Sequence, residues 1–249
     1  MSKAFLAGRQ PLWALRDVSL EVAPGSFTCI VGPSGCGKST LLRILGGLDT
    51  PSSGRVVMPE ANGRIPASAF VFQEHGVFEW LNVFDNITFG CRMAGMRWAE
   101  YTVRAREWIQ RTGLRGFERA YPHQLSGGMR QRVALARAFA LDAPALLMDE
   151  PLGALDAQTR LLMQEQLVDL WEAERKTVVL VTHSIEEALL LGDRVILMSA
   201  RPGRIKDELT VPFPRPRRLA LERTPEFGAL RHRIWAALRE EAEMSALAR

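Results

Sequence analysis

Cysteine is scarce in this sequence, since the 249 residues contain only Cys29, Cys36 and Cys91. An odd, widely spaced set of this kind lacks the pattern of a disulfide framework and the paired spacing of a zinc site. It favours a reducing compartment, in which thiols stay free. Long apolar runs are also missing. No stretch of ~18 apolar residues predicts a membrane-spanning helix, and the N-terminal residues lack the apolar core of a signal peptide. We therefore expect any role at a membrane to require a partner chain.

Repeats, low-complexity segments and a strong excess of one charge are absent as well. Hydrophobic residues make up 47% of the chain and charged residues 24%, the balance of a globular protein with a sizeable core. The net charge of +4 is a mild bias. It suits an anionic ligand or a membrane surface, but basic side chains on a solvated surface explain it as easily.

Short apolar segments alternate along the chain with segments of helical character, which predicts an α/β fold with a parallel sheet flanked by helices. The segments predicted as strands are residues 27–31, 69–72, 145–148, 177–181 and 194–198. A helix is predicted to begin near Lys38, shortly after the first of these strands, and to run toward Gly46.

The alternating pattern is interrupted between residues 73 and 126, where the sequence has a helical and irregular character. This change predicts a helical subdomain at about residues 85–140, inserted in an α/β domain that spans residues 1–211. The side chains expected to pack inside the subdomain are Trp98, Trp108 and Ile109.

The last part of the chain, residues 212–249, is predicted to form a Pro-rich turn and a C-terminal helix. The helix is expected from about Pro225 to Leu247, because proline is tolerated in the first turn of a helix. We expect this helix to pack against the α/β domain and to carry no chemistry of its own.

A glycine-rich segment between the first strand and the first helix predicts a phosphate-binding loop. It matches the pattern G-x-x-x-x-G-K-[ST] in the structural context that this motif requires. Glycines let the backbone approach phosphates closely, and the N–H groups at the start of the helix face the anion. We expect Lys38 to reach the β- and γ-phosphates and the Ser39 hydroxyl to bind Mg²⁺. The residues of the loop are Gly32, Pro33, Ser34, Gly35, Cys36, Gly37, Lys38, Ser39 and Thr40.

Two adjacent acids, Asp149 and Glu150, end an apolar strand. In a phosphate-loop enzyme an Asp in this place is directed toward Mg²⁺. The following Glu150 can polarise the water that attacks the γ-phosphate. His183 also follows a strand, but a lone histidine at a strand end is usually structural, so its role depends on the wider pattern.

Residues 125–132, LSGGMRQR, closely resemble the signature of ABC ATPases. In family order, Gln73 resembles the Q-loop, residues 154–156 the D-loop and His183 the H-loop. The resemblance covers nearly the whole chain. It implies an α/β phosphate-loop NTPase core with a helical subdomain and a short C-terminal helix.

The resemblance also implies that a second copy of the chain completes the site. Each ATP would lie between Lys38 of one copy and Ser126, Gly127 and Gly128 of the other, with Asp156 at the contact between copies. The implied catalytic residues are Glu150, His183 and Gln73. The implied Mg²⁺ ligands are Ser39, Gln73 and Asp149. The adenine would stack on Phe5, with Trp13 as the alternative.

A narrower resemblance is to importer ATPases of the nitrate, sulfonate and taurine group. It depends on residues 78–83, 85–87 and 201–205, although Glu79 stands where the group often has Pro, and Ser184 where many ABC ATPases have Asp. It implies uptake of a small anionic solute by a peripheral subunit on the cytoplasmic face of the inner membrane. Transmembrane permease subunits would be direct partners and a solute-binding protein an indirect one.

Other functions remain open at this stage. The motor of an ABC exporter has the same motifs. An ABC-type ATPase that acts on nucleic acid is less favoured, because the chain has a single phosphate loop and no heptad run, and we expect no nucleic-acid partner.

Overall fold

The structure of the chain is a computed structural model that describes residues 1–8, 10–59, 64–73 and 76–247. The strands are β1 (Lys3–Ala7), β2 (Gln10–Leu15), β3 (Phe27–Val31), β4 (Ser68–Val71), β5 (Ala145–Asp149), β6 (Thr177–Thr182), β7 (Arg194–Met198) and β8 (Ile205–Thr210). The α-helices are α1 (Lys38–Leu45), α2 (Val83–Met93), α3 (Trp98–Arg111), α4 (Gly127–Ala140), α5 (Ala157–Glu174), α6 (Ile185–Leu191) and α7 (Pro225–Leu247). Two compact units share these elements. The first comprises Met1–Met58 and Arg175–Arg249, and the second Pro59–Glu174.

Four strands of the first unit are hydrogen-bonded in the order β6-β3-β7-β8. β3 is parallel to β6 and to β7, whereas β8 is antiparallel to β7. All five residues of β3 are buried. Strands of a parallel sheet that are covered on both faces have nearly continuous apolar sequences, which is why residues 27–31 could be predicted as a strand.

The first unit also contains strands that the sequence did not predict. β1 and β2 form a separate antiparallel pair, and β8 lies at an edge with alternating partly buried and exposed residues. Pro11 lies in β2, and a proline within an apolar segment argues against a strand unless the strand lies at an edge. Charged residues in β8 face solvent, so its apolar signal is weak.

Asp193 links the C-terminal segment to β3 in the first unit. Its carboxylate accepts a hydrogen bond from the Phe27 amide at 3.0 Å and from Arg215 Nε at 2.8 Å. Arg217, only 3% exposed, lies 3.8 Å from the same carboxylate. Phe227 anchors α7 in the core with no exposed surface. A helix that begins at Pro225 and packs on the domain is therefore confirmed.

In the second unit, β4 and β5 are parallel, and α2, α3 and α4 pack together. The predicted packing of Trp108 and Ile109 is confirmed, since they are 5% and 2% exposed, and Trp108 stacks on Phe139 at 4.7 Å. The prediction for Trp98 is wrong, because its side chain is 68% exposed. Trp98 is the first residue of α3, and side chains there tilt toward the N-terminus, beyond the helix end. Among the described residues, no helix is both long and apolar enough to cross a bilayer.

Candidate functional site

The phosphate loop connects the end of β3 to the start of α1 in the first unit. Gly35 and Gly37 have φ values of 77° and 102°, a left-handed conformation that residues with a side chain rarely adopt. Gly37 precedes α1, and its carbonyl accepts a hydrogen bond from the Leu41 amide at 2.8 Å. Successive amides in such a turn point to one side and form an anion-binding concavity.

Close packing and a buried cation fix the shape of this loop. A Cβ atom at Gly32 would lie 2.9 Å from Cys36 Sγ, and one at Gly37 would lie 2.8 Å from Leu15 Cδ2. Lys38 is 7% exposed, and its Nζ donates hydrogen bonds to the carbonyls of Gly32 at 2.8 Å and Pro33 at 3.1 Å. The backbone carbonyls of the loop therefore hold the ammonium group of Lys38 in place.

Burial raises the pKa of the Cys36 thiol, although the charge of Lys38 opposes this effect. Cys36 is therefore a neutral packing residue at neutral pH. The fixed ammonium of Lys38 and the turned amides fit the phosphates of a nucleotide, and the hydroxyl of Ser39, in the first turn of α1, fits a cation beside them.

A turn that the motif does not include also packs against this loop. The amide of Gly203 donates to the Ala14 carbonyl at 2.9 Å, and its carbonyl accepts from the Arg16 amide at 3.0 Å. A Cβ atom at Gly203 would lie 2.0 Å from the carbonyl oxygen of Cys36. The Pro-Gly dipeptide predicts a turn, but it does not predict that this turn packs against the phosphate loop.

His183 lies at the same end of the sheet as the phosphate loop. β3 pairs with β6 so that Val31, the last residue of β3, is opposite Thr182, the last residue of β6. Gly32 and His183, which follow them, therefore leave the sheet at neighbouring points. The His183 side chain is exposed. Ser184, the next residue, caps α6 by accepting a hydrogen bond from the Glu187 amide at 3.1 Å. The structure therefore brings two predicted parts of the site together in the first unit.

In the second unit, Glu150 follows β5 with a φ of 44°, which is strained for a residue with a side chain. Gln73 Nε2 donates a hydrogen bond to Glu150 Oε2 at 3.3 Å. The Gly153 amide donates to the Glu150 carbonyl at 3.0 Å. Asp149, the last residue of β5, is 6% exposed. The structure thus joins Gln73 and Glu150, two predicted catalytic residues that are far apart in sequence.

A cation in this kind of site needs few protein ligands. Among the described residues, no group of three or more His, Cys, Asp or Glu side chains could hold a metal ion. Mg²⁺ is commonly bound through one or two carboxylates together with phosphates and water. Ser39, Gln73 and Asp149 each carry an oxygen donor of the kind that Mg²⁺ accepts, and their binding of one cation stays a prediction.

The signature segment begins α4 in the second unit. Ser126 is the residue before the helix, and its Oγ accepts a hydrogen bond from the Met129 amide at 3.3 Å. A serine hydroxyl that accepts one bond keeps a proton to donate. A Cβ atom at Gly128 would lie 2.7 Å from Thr159 Cγ2. Ser126 is exposed at the positive end of a 14-residue helix, and this is a suitable position for an anion.

Asp156 precedes α5 and is exposed. Its Oδ1 accepts a hydrogen bond from the Thr159 amide at 3.0 Å, so it caps the helix. This backbone hydrogen bond lowers the pKa of Asp156. The capping role belongs to the single chain, and the contact with a second copy stays a prediction.

The two candidate adenine-stacking residues lie on the β1–β2 pair. Phe5 is opposite Leu12, and Ala4 is opposite Trp13. Because side chains alternate across a strand, Phe5 and Trp13 lie on opposite faces. Phe5 is 45% exposed and Trp13 is partly exposed, so both rings are accessible.

The family model for the ABC transporter matches residues 15–153. An uncharacterized ABC transporter ATP-binding protein of Methanocaldococcus jannaschii is 45% identical over 97% of this chain and 90% of its own. A taurine import ATP-binding protein of a Jannaschia species is 48% identical over 80% of this chain and 75% of its own. A nitrate import ATP-binding protein of a Synechocystis species is 40% identical over 100% of this chain and 97% of its own.

Solved structures of ABC cassettes are also similar to this chain. The dimeric structure of a bacterial ABC transporter cassette is 35% identical, with a TM-score of 0.73 over 86% of this chain and 97% of that one. A dimeric post-hydrolysis state of an ATP-binding cassette, bound to ADP and phosphate, is 33% identical with a TM-score of 0.73 and the same coverage.

Proposed function

Because the chain belongs to the ABC transporter family and is an ATPase of that family, we propose that it is the motor subunit of an importer. The observation that carries the proposal is the glycine loop that holds Lys38 in place, with His183 directly after the adjacent strand. Relatives named for taurine and nitrate import support a small anionic solute. The chain would be peripheral, on the cytoplasmic face of the inner membrane, and a solute-binding protein would deliver the solute to permease subunits.

Each residue of the site has a proposed role toward ATP. The loop amides and Lys38 hold the phosphates, and His183 binds the γ-phosphate. Ser39, Gln73 and Asp149 hold Mg²⁺, which would neutralise charge that develops on the phosphates. Glu150 accepts a proton from the attacking water. The 3.3 Å hydrogen bond to Gln73 orients the carboxylate of Glu150, and Gln73 keeps its amide oxygen for the cation.

The second half of the site would come from another copy of the chain. Ser126, Gly127 and Gly128 present a helix N-terminus and a hydroxyl proton, both of which suit a γ-phosphate. Asp156 would lie at the contact between copies. The dimeric cassette among the similar structures supports this arrangement.

Disulfide cross-linking tests the composite site. A chain with Ser34→Cys, mixed with a chain carrying Ser126→Cys and treated with a mild oxidant, is expected to form an inter-chain disulfide in ATP but not in ADP. Both positions are exposed, whereas the native cysteines are buried. Gln110→Cys, exposed on α3, is the matched control that should not cross-link to Ser34→Cys. A disulfide that forms equally without nucleotide, or only within one chain, would refute the arrangement.

A rigid turn after Gln73 is the candidate contact with the permease. The buried side chain of Asn86 accepts from the Phe78 amide at 2.8 Å and donates to the carbonyls of Phe78 at 3.0 Å and Leu81 at 2.9 Å. Phe78 is partly buried against Phe89, with ring centroids 4.5 Å apart. Trp80 is 73% exposed on this fixed turn.

Exposed tryptophans on rigid backbone are common binding anchors, and a central one contributes about 2 kcal/mol or more to binding. Trp80→Ala is therefore expected to reduce copurification with the permease subunits by about tenfold or more, while ATP hydrolysis by the isolated chain stays within about twofold. Trp98→Ala, also a highly exposed tryptophan in the same unit, is the control and should leave assembly intact. Normal assembly and transport by Trp80→Ala would place the docking surface elsewhere.

A further inference from the structure

A cleft lies between α6 and α7, in the first unit. Its volume is about 400 Å³, and its lining residues are Ile185, Glu186, Arg231, His232 and Trp235. None of these residues belongs to the motifs assigned to ATP. The cleft combines an apolar surface with two opposite charges, a composition typical of a small-molecule site.

The charges of the cleft favour a ligand that carries both signs. Arg231 Nη1 lies 3.5 Å from Glu186 Oε1, farther than the 2.7–2.9 Å of a short charge-assisted bond. Both side chains are about half exposed, at 52% and 41%. Burial and the charge of Glu186 raise the pKa of a second carboxyl, Glu222, and the charge of Arg231 lowers it. Glu222 therefore lies near this pair. An anion alone would face these carboxylates, and a cation alone would face the guanidinium.

The acidic side of the cleft is held in place. Ser184 Oγ donates a hydrogen bond to Glu186 Oε2 at 3.2 Å, and Ser184 also caps α6. This bond uses one carboxylate oxygen and leaves Oε1 on the side of Arg231. Glu186 is therefore a preorganised acceptor, which reduces the entropy cost of binding an ammonium group.

The apolar side comes from two residues on the facing helices. Ile185 is 8% exposed, and Trp235 is 48% exposed. The Trp235 ring stacks on His232 with centroids 6.1 Å apart, and Arg239 lies 5.4 Å from its centroid. The indole is thus fixed by neighbours while about half of its surface stays open to a ligand.

We propose that the α6–α7 cleft binds a small zwitterion with an apolar body, the chemistry of an aromatic amino acid. The acidic group binds Arg231, the ammonium binds Glu186, and the apolar body packs between Ile185 and Trp235. The ligand replaces the long contact between Arg231 and Glu186 with two short ones. None of the five lining residues is assigned to ATP, and the proposal does not rest on the proposed function.

Calorimetric titration of the full chain with L-phenylalanine, without nucleotide, tests the proposal. Hydrocinnamate lacks the ammonium, phenethylamine lacks the carboxylate and glycine lacks the apolar body. Each is expected to bind about tenfold or more weakly than L-phenylalanine, the loss typical of one charge-assisted contact or one apolar group. Equal binding of phenethylamine or hydrocinnamate would overturn the zwitterion assignment, and absence of heat with all four compounds would overturn the site.

Substitutions locate the binding in the cleft. Arg231→Gln and Glu186→Gln should each weaken L-phenylalanine by about tenfold or more. Arg233→Gln is the matched control, because Arg233 is 63% exposed on the same helix and contacts Asp207 at 3.4 Å instead. All three positions are solvent-exposed or partly exposed, and thermal unfolding checks that the variants stay folded. Unchanged binding by Arg231→Gln, or equal loss in Arg233→Gln, would place the ligand outside the cleft. Because no ATP is present, these results are independent of the proposed transport function.

Discussion

Glu150→Gln is expected to lower ATP turnover by about 10²–10⁴-fold, the usual contribution of a positioned general base. The glutamine has nearly the same size, and its amide oxygen can still accept the 3.3 Å hydrogen bond from Gln73. It cannot accept a proton from water at neutral pH. The phosphate loop and Asp149 remain unchanged, so ATP should still bind and the variant should accumulate as an ATP-bound dimer.

Phosphate release, equilibrium ATP binding and size-exclusion chromatography with ATP measure these three effects. Glu100→Gln is a suitable control, since Glu100 is an exposed residue on α3 and should keep normal turnover. Near-normal hydrolysis by Glu150→Gln would show that Glu150 is not the base. Loss of ATP binding in the same variant would instead indicate a structural role for the carboxylate.

Lys38→Ala should reduce ATP affinity or turnover by at least about tenfold. A hydrogen bond to a charged group contributes about 1.5–3 kcal/mol, and 1.4 kcal/mol corresponds to a factor of ten. The substitution also removes the hydrogen bonds from Lys38 Nζ to the carbonyls of Gly32 and Pro33. Part of the effect would therefore come from a loop that is less well held.

Nucleotide titration and turnover measure this effect, and thermal unfolding without nucleotide separates the two causes. Arg43→Ala is the control, because Arg43 is an exposed cation on the same helix as Lys38. Unchanged binding and turnover in Lys38→Ala would contradict the assignment of the phosphate loop. A large drop in stability without nucleotide would assign most of the effect to the loop itself.

The features that could be predicted from the sequence are those encoded in a single short segment of the chain. β3 and β5 are buried along their whole length, so they read as unbroken apolar runs. The phosphate loop is local in another sense, because turn glycines, a cation and a hydroxyl lie within one short segment. The ABC ATPase fold and activity follow from these segments and their order, and the comparisons confirm both.

What the sequence did not predict depends on contacts between distant residues. The bond between Gln73 and Glu150 joins two segments that no local pattern connects. The exposure of Trp98 depends on what covers the first turn of α3, which its residue type does not reveal. The β1–β2 pair and β8 lie at edges with one solvated face, where charged and apolar residues mix.

The turn at residues 201–205 contributes to the resemblance to nitrate, sulfonate and taurine importers, yet its tightest contact is with the phosphate loop. Gly203 approaches Cys36 so closely that any side chain would displace the loop backbone. A residue with a side chain at position 203 would therefore require the backbone at Cys36 to shift as well. The resemblance at this turn therefore reflects how the phosphate loop is supported rather than which solute is transported.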